Sequence, residues 1–257
     1  MAISDSSMLD SSTLDRLDFI YPKWPTPENV KSISTTRLGG VSSGVFTSNN
    51  LALHVEDDSK AVEENRKNLV KQCKLPDSPK WLTQTHSTIA ADYSAAQCEA
   101  DASYTNSAKQ VCVVMTADCL PILLCDRKGG QVAAVHAGWR GLLNGIIENT
   151  LDRFNGDKSE ILAWLGPAIS QVAFEVGREV YDAFTKQNDD AVNHFKPIEN
   201  NKYLADIYGL ARLRLNLAGV TSVYGGEFCT FTDEERFYSY RRDGACGRMA
   251  SLIWLDN

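Results

Sequence analysis

Two short runs rich in β-branched and apolar residues, 111–115 and 131–135, each break off into a polar cluster that apolar packing does not require. The first leads into Thr116-Ala117-Asp118-Cys119 and the second into His136-Ala137-Gly138-Trp139-Arg140-Gly141. Runs of this length and composition read as buried strands. A side chain at the point where a strand gives way to a loop is held by the strand and opened to solvent by the loop. A third cluster, Trp81-Leu82-Thr83-Gln84-Thr85-His86-Ser87, repeats the pattern upstream. His86, Cys119 and His136 are therefore candidates for one site.

The 257 residues fit one large domain or two small ones and can bury a sizeable core. A formal net charge of −7 excludes a field that gathers nucleic acid or an anionic membrane, although a local basic pocket for phosphate is compatible with it. No apolar run approaches the roughly 20 residues of a membrane span. The first residues are polar and acidic with no apolar core, so they do not read as a signal peptide. The seven cysteines are odd in number and form no CxxC pair. Free thiols and a cytoplasmic setting are the expectation, with a monomer as the expected state.

Residues 1–17 are expected to be poorly ordered and 18–257 to form a single domain. Residues 58–74 read as a surface helix with Asp58 as N-cap and Val62, Leu69 and Cys73 on one face. Residues 141–154 carry apolar side chains at spacings of three and four and predict one helix starting just after His136. Residues 161–165 predict a strand, 176–185 a helix, and 237–241 and 250–255 late strands. Asp206 and Gly219 bracket a helix over 206–218 that presents Ile207, Leu210, Leu213 and Leu217 on one face. The sum is one α+β domain with several short strands and about four helices, its strand order not legible.

A Cys with two His meets the ligand count of a catalytic zinc, which takes three protein ligands and keeps a fourth position open. The gaps of 33 and 17 residues suit a site built from separate strand ends. A Cys119 nucleophile with a His base has similar support, since a thiolate needs one nearby imidazole for activation. A third reading is structural zinc, with Cys229 or Cys246 as the fourth ligand. The plain alternative is that Cys119 is a small buried hydrophobe and each His a hydrogen-bonded polar residue. His54 and His194 fit structural or solvated roles. Arg37, Arg140, Arg241, Arg242 and Arg248 border loops and suit phosphate or carboxylate recognition, with solvation the ordinary fate of any one of them. Asp118 and Asp243 fit acid–base, ligand-orienting or turn roles.

Together, Thr35-Thr36-Arg37-Leu38-Gly39-Gly40-Val41-Ser42, Gln84-Thr85-His86-Ser87, Ala117-Asp118-Cys119-Leu120-Pro121, His136-Ala137-Gly138-Trp139-Arg140-Gly141 and Phe237-Tyr238-Ser239-Tyr240-Arg241-Arg242-Asp243 resemble the YfiH-type, laccase-domain or polyphenol-oxidase-like family. The resemblance implies a single α+β domain with central mixed sheets and outer helices. It implies a zinc site at His86, Cys119 and His136; these three and Asp118 are the candidate catalytic residues. It also implies phosphorolysis of adenosine, inosine and methylthioadenosine, and adenosine deamination, so the expected partners are a purine nucleoside and phosphate. Arg37, Arg140 and Arg242 are the candidates for binding them, and the start of the helix after His136 is a candidate phosphate site. Bacterial members also resemble peptidoglycan editing factors, which gives the alternative of a Cys119-dependent hydrolase or amidase. Ser170-Gln171-Val172-Ala173 and Cys246 depart from the family pattern. Four histidines cannot furnish the imidazoles of a three-copper cluster plus a blue-copper site, so multicopper oxidation is excluded as the native chemistry.

Overall fold

Four strands are buried along their whole length and a fifth along all but its last residue, and their side chains explain the layering. A computed structural model describes residues 17–96 and 98–256. In chain order its elements are β1 (Phe19–Ile20), β2 (Val30–Thr35), α1 (Ser59–Cys73), β3 (Ala90–Asp92), β4 (Ala102–Thr105), β5 (Val111–Thr116), β6 (Leu120–Asp126) and β7 (Val132–Ala137). There follow α2 (Trp139–Asn144), α3 (Ile146–Leu151), β8 (Ile161–Leu165), β9 (Glu175–Gly177), α4 (Arg178–Gln187), β10 (Phe195–Ile198) and β11 (Lys202–Ala205). The chain ends with α5 (Ile207–Leu217), β12 (Ser222–Gly225), α6 (Tyr240–Asp243) and β13 (Met249–Leu255).

A six-stranded sheet runs in the order β12-β8-β6-β7-β4-β3. Its outer pairs β12/β8 and β3/β4 are parallel and its inner pairs antiparallel. An antiparallel four-stranded sheet runs β1-β2-β13-β5. Successive side chains of a strand point to opposite faces. Leu120, Ile122 and Leu124 of β6, with Ala133 and Val135 of β7 and Ile161, Ala163 and Leu165 of β8, join a core with Leu142, Ile146, Ile147, Leu210 and Leu215 of the helices. Their alternates Leu123, Cys125, Val132, Ala134, Leu162 and Trp164 join Cys112, Val114 and Ile253 of the four-stranded sheet. The far side of that sheet, Val111, Val113, Leu252 and Trp254, meets Leu69 of α1. The order of layers is thus helices, six-stranded sheet, four-stranded sheet, α1. Strands covered on both faces read as continuous apolar runs, the pattern at 111–115 and 161–165. A small antiparallel sheet, β10-β11-β9, lies outside these layers.

The single α+β domain matches the expectation, and six α-helices replace the expected four among the described residues. Asp58 caps α1 through the Lys60 N–H, and Asp206 caps α5 through the Gly209 N–H, as their sequences predict. Leu217 does not lie on the buried face of α5; it is exposed. The helix expected over 141–154 begins at Trp139 and is cut in two at Gly145, whose φ of 103° no right-handed helix contains. Residues 237–241 are not a strand: Phe237 and Tyr238 are core side chains, and Ser239 caps the single turn of α6. Glu175–Gly177 pairs with β11, so the helix expected from 176 starts at Arg178. Of the segment expected to be poorly ordered, residues 1–16 lie outside those described, and Leu17 is buried.

Candidate metal centre

The polar cluster at 117–119 is the passage from one sheet to the other. The chain leaves the four-stranded sheet at the end of β5, turns through Asp118 at a φ of 84°, and enters the six-stranded sheet as β6 at Leu120. Cys119 therefore sits at the mouth of the inter-sheet layer and is partly exposed. His136 occupies β7 opposite Pro121 of β6 and is buried. His86 arrives on an exposed loop at a φ of 60°. That loop is tied to the sheet by Gln84, whose side-chain amide donates to the Met115 carbonyl and accepts from the Met115 N–H at 2.8 and 2.7 Å.

These three segments bring His86, Cys119 and His136 together, with one ligand atom from each within 4.8 Å of the others. Cys119 Sγ lies 3.7 Å from His86 Nε2, and the two imidazoles meet edge to face at 4.9 Å. Zinc–sulfur and zinc–nitrogen bonds at a tetrahedral angle separate such atoms by about 3.6 Å, so the donor set fits a zinc-sized ion. Gly138 makes room for it: a Cβ there would stand 2.7 Å from His86 Cδ2 and 3.1 Å from Cys119 Sγ. Burial by itself would raise the Cys119 thiol, but the charge and hydrogen bonding of His136 and His86 bring it down to about 6. Burial would likewise lower His136; the Cys119 charge and the Asp101 hydrogen bond outweigh it and hold the imidazole well above its ordinary value. No fourth His, Cys, Asp or Glu joins the three among the described residues. Cys246 is buried in the inter-sheet core and Cys229 accepts from the Ser170 N–H, and neither belongs to the cluster.

Sequence reasoning missed Asp101, whose wholly buried carboxylate accepts from His136 Nδ1 at 2.7 Å. It lies in a loop before β4, outside every apolar run, and no local signal marks it. The other candidates are placed less centrally. Asp118 accepts from Thr230 Oγ1 and from the Arg241 N–H, so both oxygens are committed to holding α6. Arg242 clasps Asp243 through two nitrogens and donates to the carbonyls of Thr230, Phe231 and Phe237. Arg37 donates to the carbonyls of Thr47 and Glu234 and lies over the Tyr238 ring. Arg241 donates to Glu175 O, and Arg248 to the carbonyls of Cys246 and Gly247. Arg140 is different: it rests on the Trp139 ring at 4.3 Å. The helix it belongs to, α2, has six residues, too short for the helix dipole alone to make an anion site.

The family described as multi-copper polyphenol oxidoreductase laccase matches residues 31–256. The chain belongs to this laccase-domain family. The resemblance to YfiH-type proteins is borne out by its relatives. The purine nucleoside phosphorylase of Haemophilus influenzae is 50% identical over 241 residues, covering 92% of this chain and 99% of that protein. The purine nucleoside phosphorylase YfiH of Escherichia coli is 51% identical over 239 residues, covering 92% and 98%. The crystal structure of Neisseria meningitidis protein NMB0706 superposes with a TM-score of 0.90 at 50% identity, covering 93% of this chain and 99% of that one. Of the four histidines in this laccase-domain chain, only His86 and His136 converge with Cys119, a donor set for one ion. No helix of the described residues is long and apolar enough to cross a membrane.

Proposed function

We propose that the protein is a zinc-dependent purine nucleoside phosphorylase that acts on adenosine, inosine and methylthioadenosine, with adenosine deamination as a second reaction of the same site. The observation that carries the reading is the convergence of His86, Cys119 and His136, with His86 exposed and Cys119 partly so, in a chain half identical to proteins named purine nucleoside phosphorylase. In phosphorolysis a phosphate oxygen bonds to C1′ of the ribose as the C1′–N9 bond breaks. The bonding electrons leave with the purine, which takes up a proton, and ribose 1-phosphate is the other product. A zinc ion held by His86, Cys119 and His136 supplies Lewis-acid chemistry when bound. Arg140 is the residue for phosphate, since among the described residues its guanidinium has no hydrogen-bonded carbonyl or carboxylate, while Arg37 and Arg242 are engaged. A planar fork beside the reacting centre both binds and orients the nucleophile. The physiological setting is cytoplasmic, with nucleoside and phosphate as the partners.

Purified protein incubated with adenosine, with and without phosphate, tests this. Adenine and ribose 1-phosphate report phosphorolysis and inosine reports deamination. Absence of both above a chelator-treated control refutes the nucleoside reading.

One observation favours a second reading. Asp101, His136 and Cys119 stand in the order of an orienting carboxylate, a base and a nucleophilic thiol. A Cys119-dependent hydrolase or amidase acting on peptidoglycan precursors would use that order. Activity retained in chelator and abolished by alkylation of metal-free protein would select it. Activity lost in chelator, with the thiol shielded by zinc, selects the first reading.

A further inference from the structure

The three candidate ligands come from a loop, a sheet-to-sheet passage and a strand end, and one buried carboxylate reaches two of them. We propose that Asp101 is the positioning residue that assembles the metal centre before any ion arrives, setting both imidazoles through its two oxygens. This rests on the metal-site reading above.

Oδ1 accepts from Nδ1 of His136 at 2.7 Å and from the backbone N–H of His86 at 3.0 Å. Oδ2 accepts from the N–H of Thr85 at 3.2 Å, the N–H of Ser87 at 2.6 Å and Oγ of Ser87 at 2.7 Å. A carboxylate has about four lone-pair sites, so five donors saturate it. Its own carbonyl accepts the His136 N–H at 2.7 Å, so the ring and the backbone of His136 are both referred to Asp101. Asp101 directly precedes β4, whose first residue Ala102 pairs with Val135 of β7. The carboxylate is thus anchored in the same ladder as His136.

Two consequences follow from this geometry. The Nδ1 proton of His136 is committed to Asp101, which leaves Nε2 as the nitrogen available to an ion. Three successive N–H groups of 85–87 close on the carboxylate and hold His86 at its φ of 60°, a backbone region that side chains other than glycine seldom adopt. The second effect goes through the main chain, so it aims His86 without touching its ring.

Asp101→Asn keeps the shape and turns one oxygen into an NH2. With the NH2 in the place of Oδ1 it confronts the His86 N–H and makes His136 accept at Nδ1, which moves the imidazole proton to the nitrogen meant for the ion. With the NH2 in the place of Oδ2 it confronts the N–H groups of Thr85 and Ser87 and frees the His86 loop. Either way one imidazole ligand is lost.

The test uses the full chain, with zinc affinity read by competition against a chromophoric chelator and the ligand field read from the cobalt-substituted spectrum. The expected result for folded Asp101→Asn is a fall of about 10- to 100-fold in zinc affinity with an altered cobalt spectrum. Wild-type affinity and an unchanged spectrum would overturn the proposal, because a residue that merely holds the fold moves neither. A measurement without any variant stands beside it. In metal-free wild type, the His136 Nδ1 carries a slowly exchanging proton and the amides of 85–87 are protected. An unprotonated Nδ1, or amides that become protected only on adding zinc, overturns the proposal. Wild-type protein that binds no zinc while showing this protection refutes the metal reading and supports assembly by Asp101.

Discussion

Gly138 offers the sharpest separation of site from scaffold. Its backbone, φ −63° and ψ 157°, is open to alanine, so Gly138→Ala introduces no backbone strain. The added Cβ would stand 2.7 Å from His86 Cδ2, 3.1 Å from Cys119 Sγ and 3.2 Å from His86 Nε2. Carbon atoms settle at about 3.5–4.0 Å, so the exposed His86 ring has to withdraw by roughly 0.8 Å or more. Zinc–ligand distances tolerate only about 0.2 Å, so the displaced ring no longer ligates well. The expected loss of zinc affinity is about 10- to 100-fold, or about 1.4–2.7 kcal/mol. The metal-free fold goes the other way or stays level, because replacing glycine at a compatible position stabilises by about 0.4–1 kcal/mol through the unfolded chain. Chelator competition gives the affinity, and thermal unfolding of the metal-free protein gives the stability. Wild-type zinc affinity in Gly138→Ala would refute the claim that the ion lies among His86, Cys119 and His136. A large fall in metal-free stability would show that Gly138 serves the fold instead.

Asp101 is held at about 2 against an ordinary 3.8; burial opposes this, and the hydrogen bonds from His136 and Ser87 outweigh it. A carboxyl depressed in the folded state contributes stability above its unfolded pKa and loses it as pH falls toward the folded one. Metal-free wild type should therefore lose about 2 kcal/mol more than Asp101→Asn between pH 4 and 2 in denaturant titrations, and parallel curves would contradict this. Gly145→Ala forces a side chain into a φ of 103° between α2 and α3 and should cost about 1–2 kcal/mol of unfolding free energy with zinc affinity unchanged. Arg140→Lys replaces a planar fork with a point charge, and steady-state kinetics should show a raised phosphate KM with little change in nucleoside KM; unchanged phosphate kinetics would make Arg140 a structural partner of Trp139.

What was legible locally follows from interactions that are themselves local. The apolar runs at 111–115 and 161–165 appear as β5 and β8, and the caps at Asp58 and Asp206 appear as helix starts. The short motifs carrying His86, Cys119 and His136 sufficed to group them, because nothing in apolar packing explains polar clusters at strand ends. Errors arose where a partner distant in sequence decides the conformation. Gly145 breaks a continuous helical pattern at a φ of 103°, and the two short helices it separates both pack on the six-stranded sheet through Leu142, Ile146 and Ile147. Phe237 and Tyr238 look strand-like but fill the inter-sheet core without pairing. The partners of Asp118 and Arg242 were likewise illegible: Asp118 accepts from Thr230 and from the Arg241 N–H at the start of α6, and Arg242 clasps Asp243.

The sequence by itself determined the buried strands β5 and β8, the capped helices α1 and α5, the family and the three candidate ligands, because these rest on side-chain periodicity and on contiguous motifs. Only the tertiary structure decided that β5 and β6 belong to different sheets, so that their short link carries Cys119 to the mouth of the layer between them. Only it could place Asp101, 15 residues from His86 and 35 from His136, beneath both. A buried carboxylate is tolerated where several donors from distant segments close on it, and no pattern within one segment records that closure.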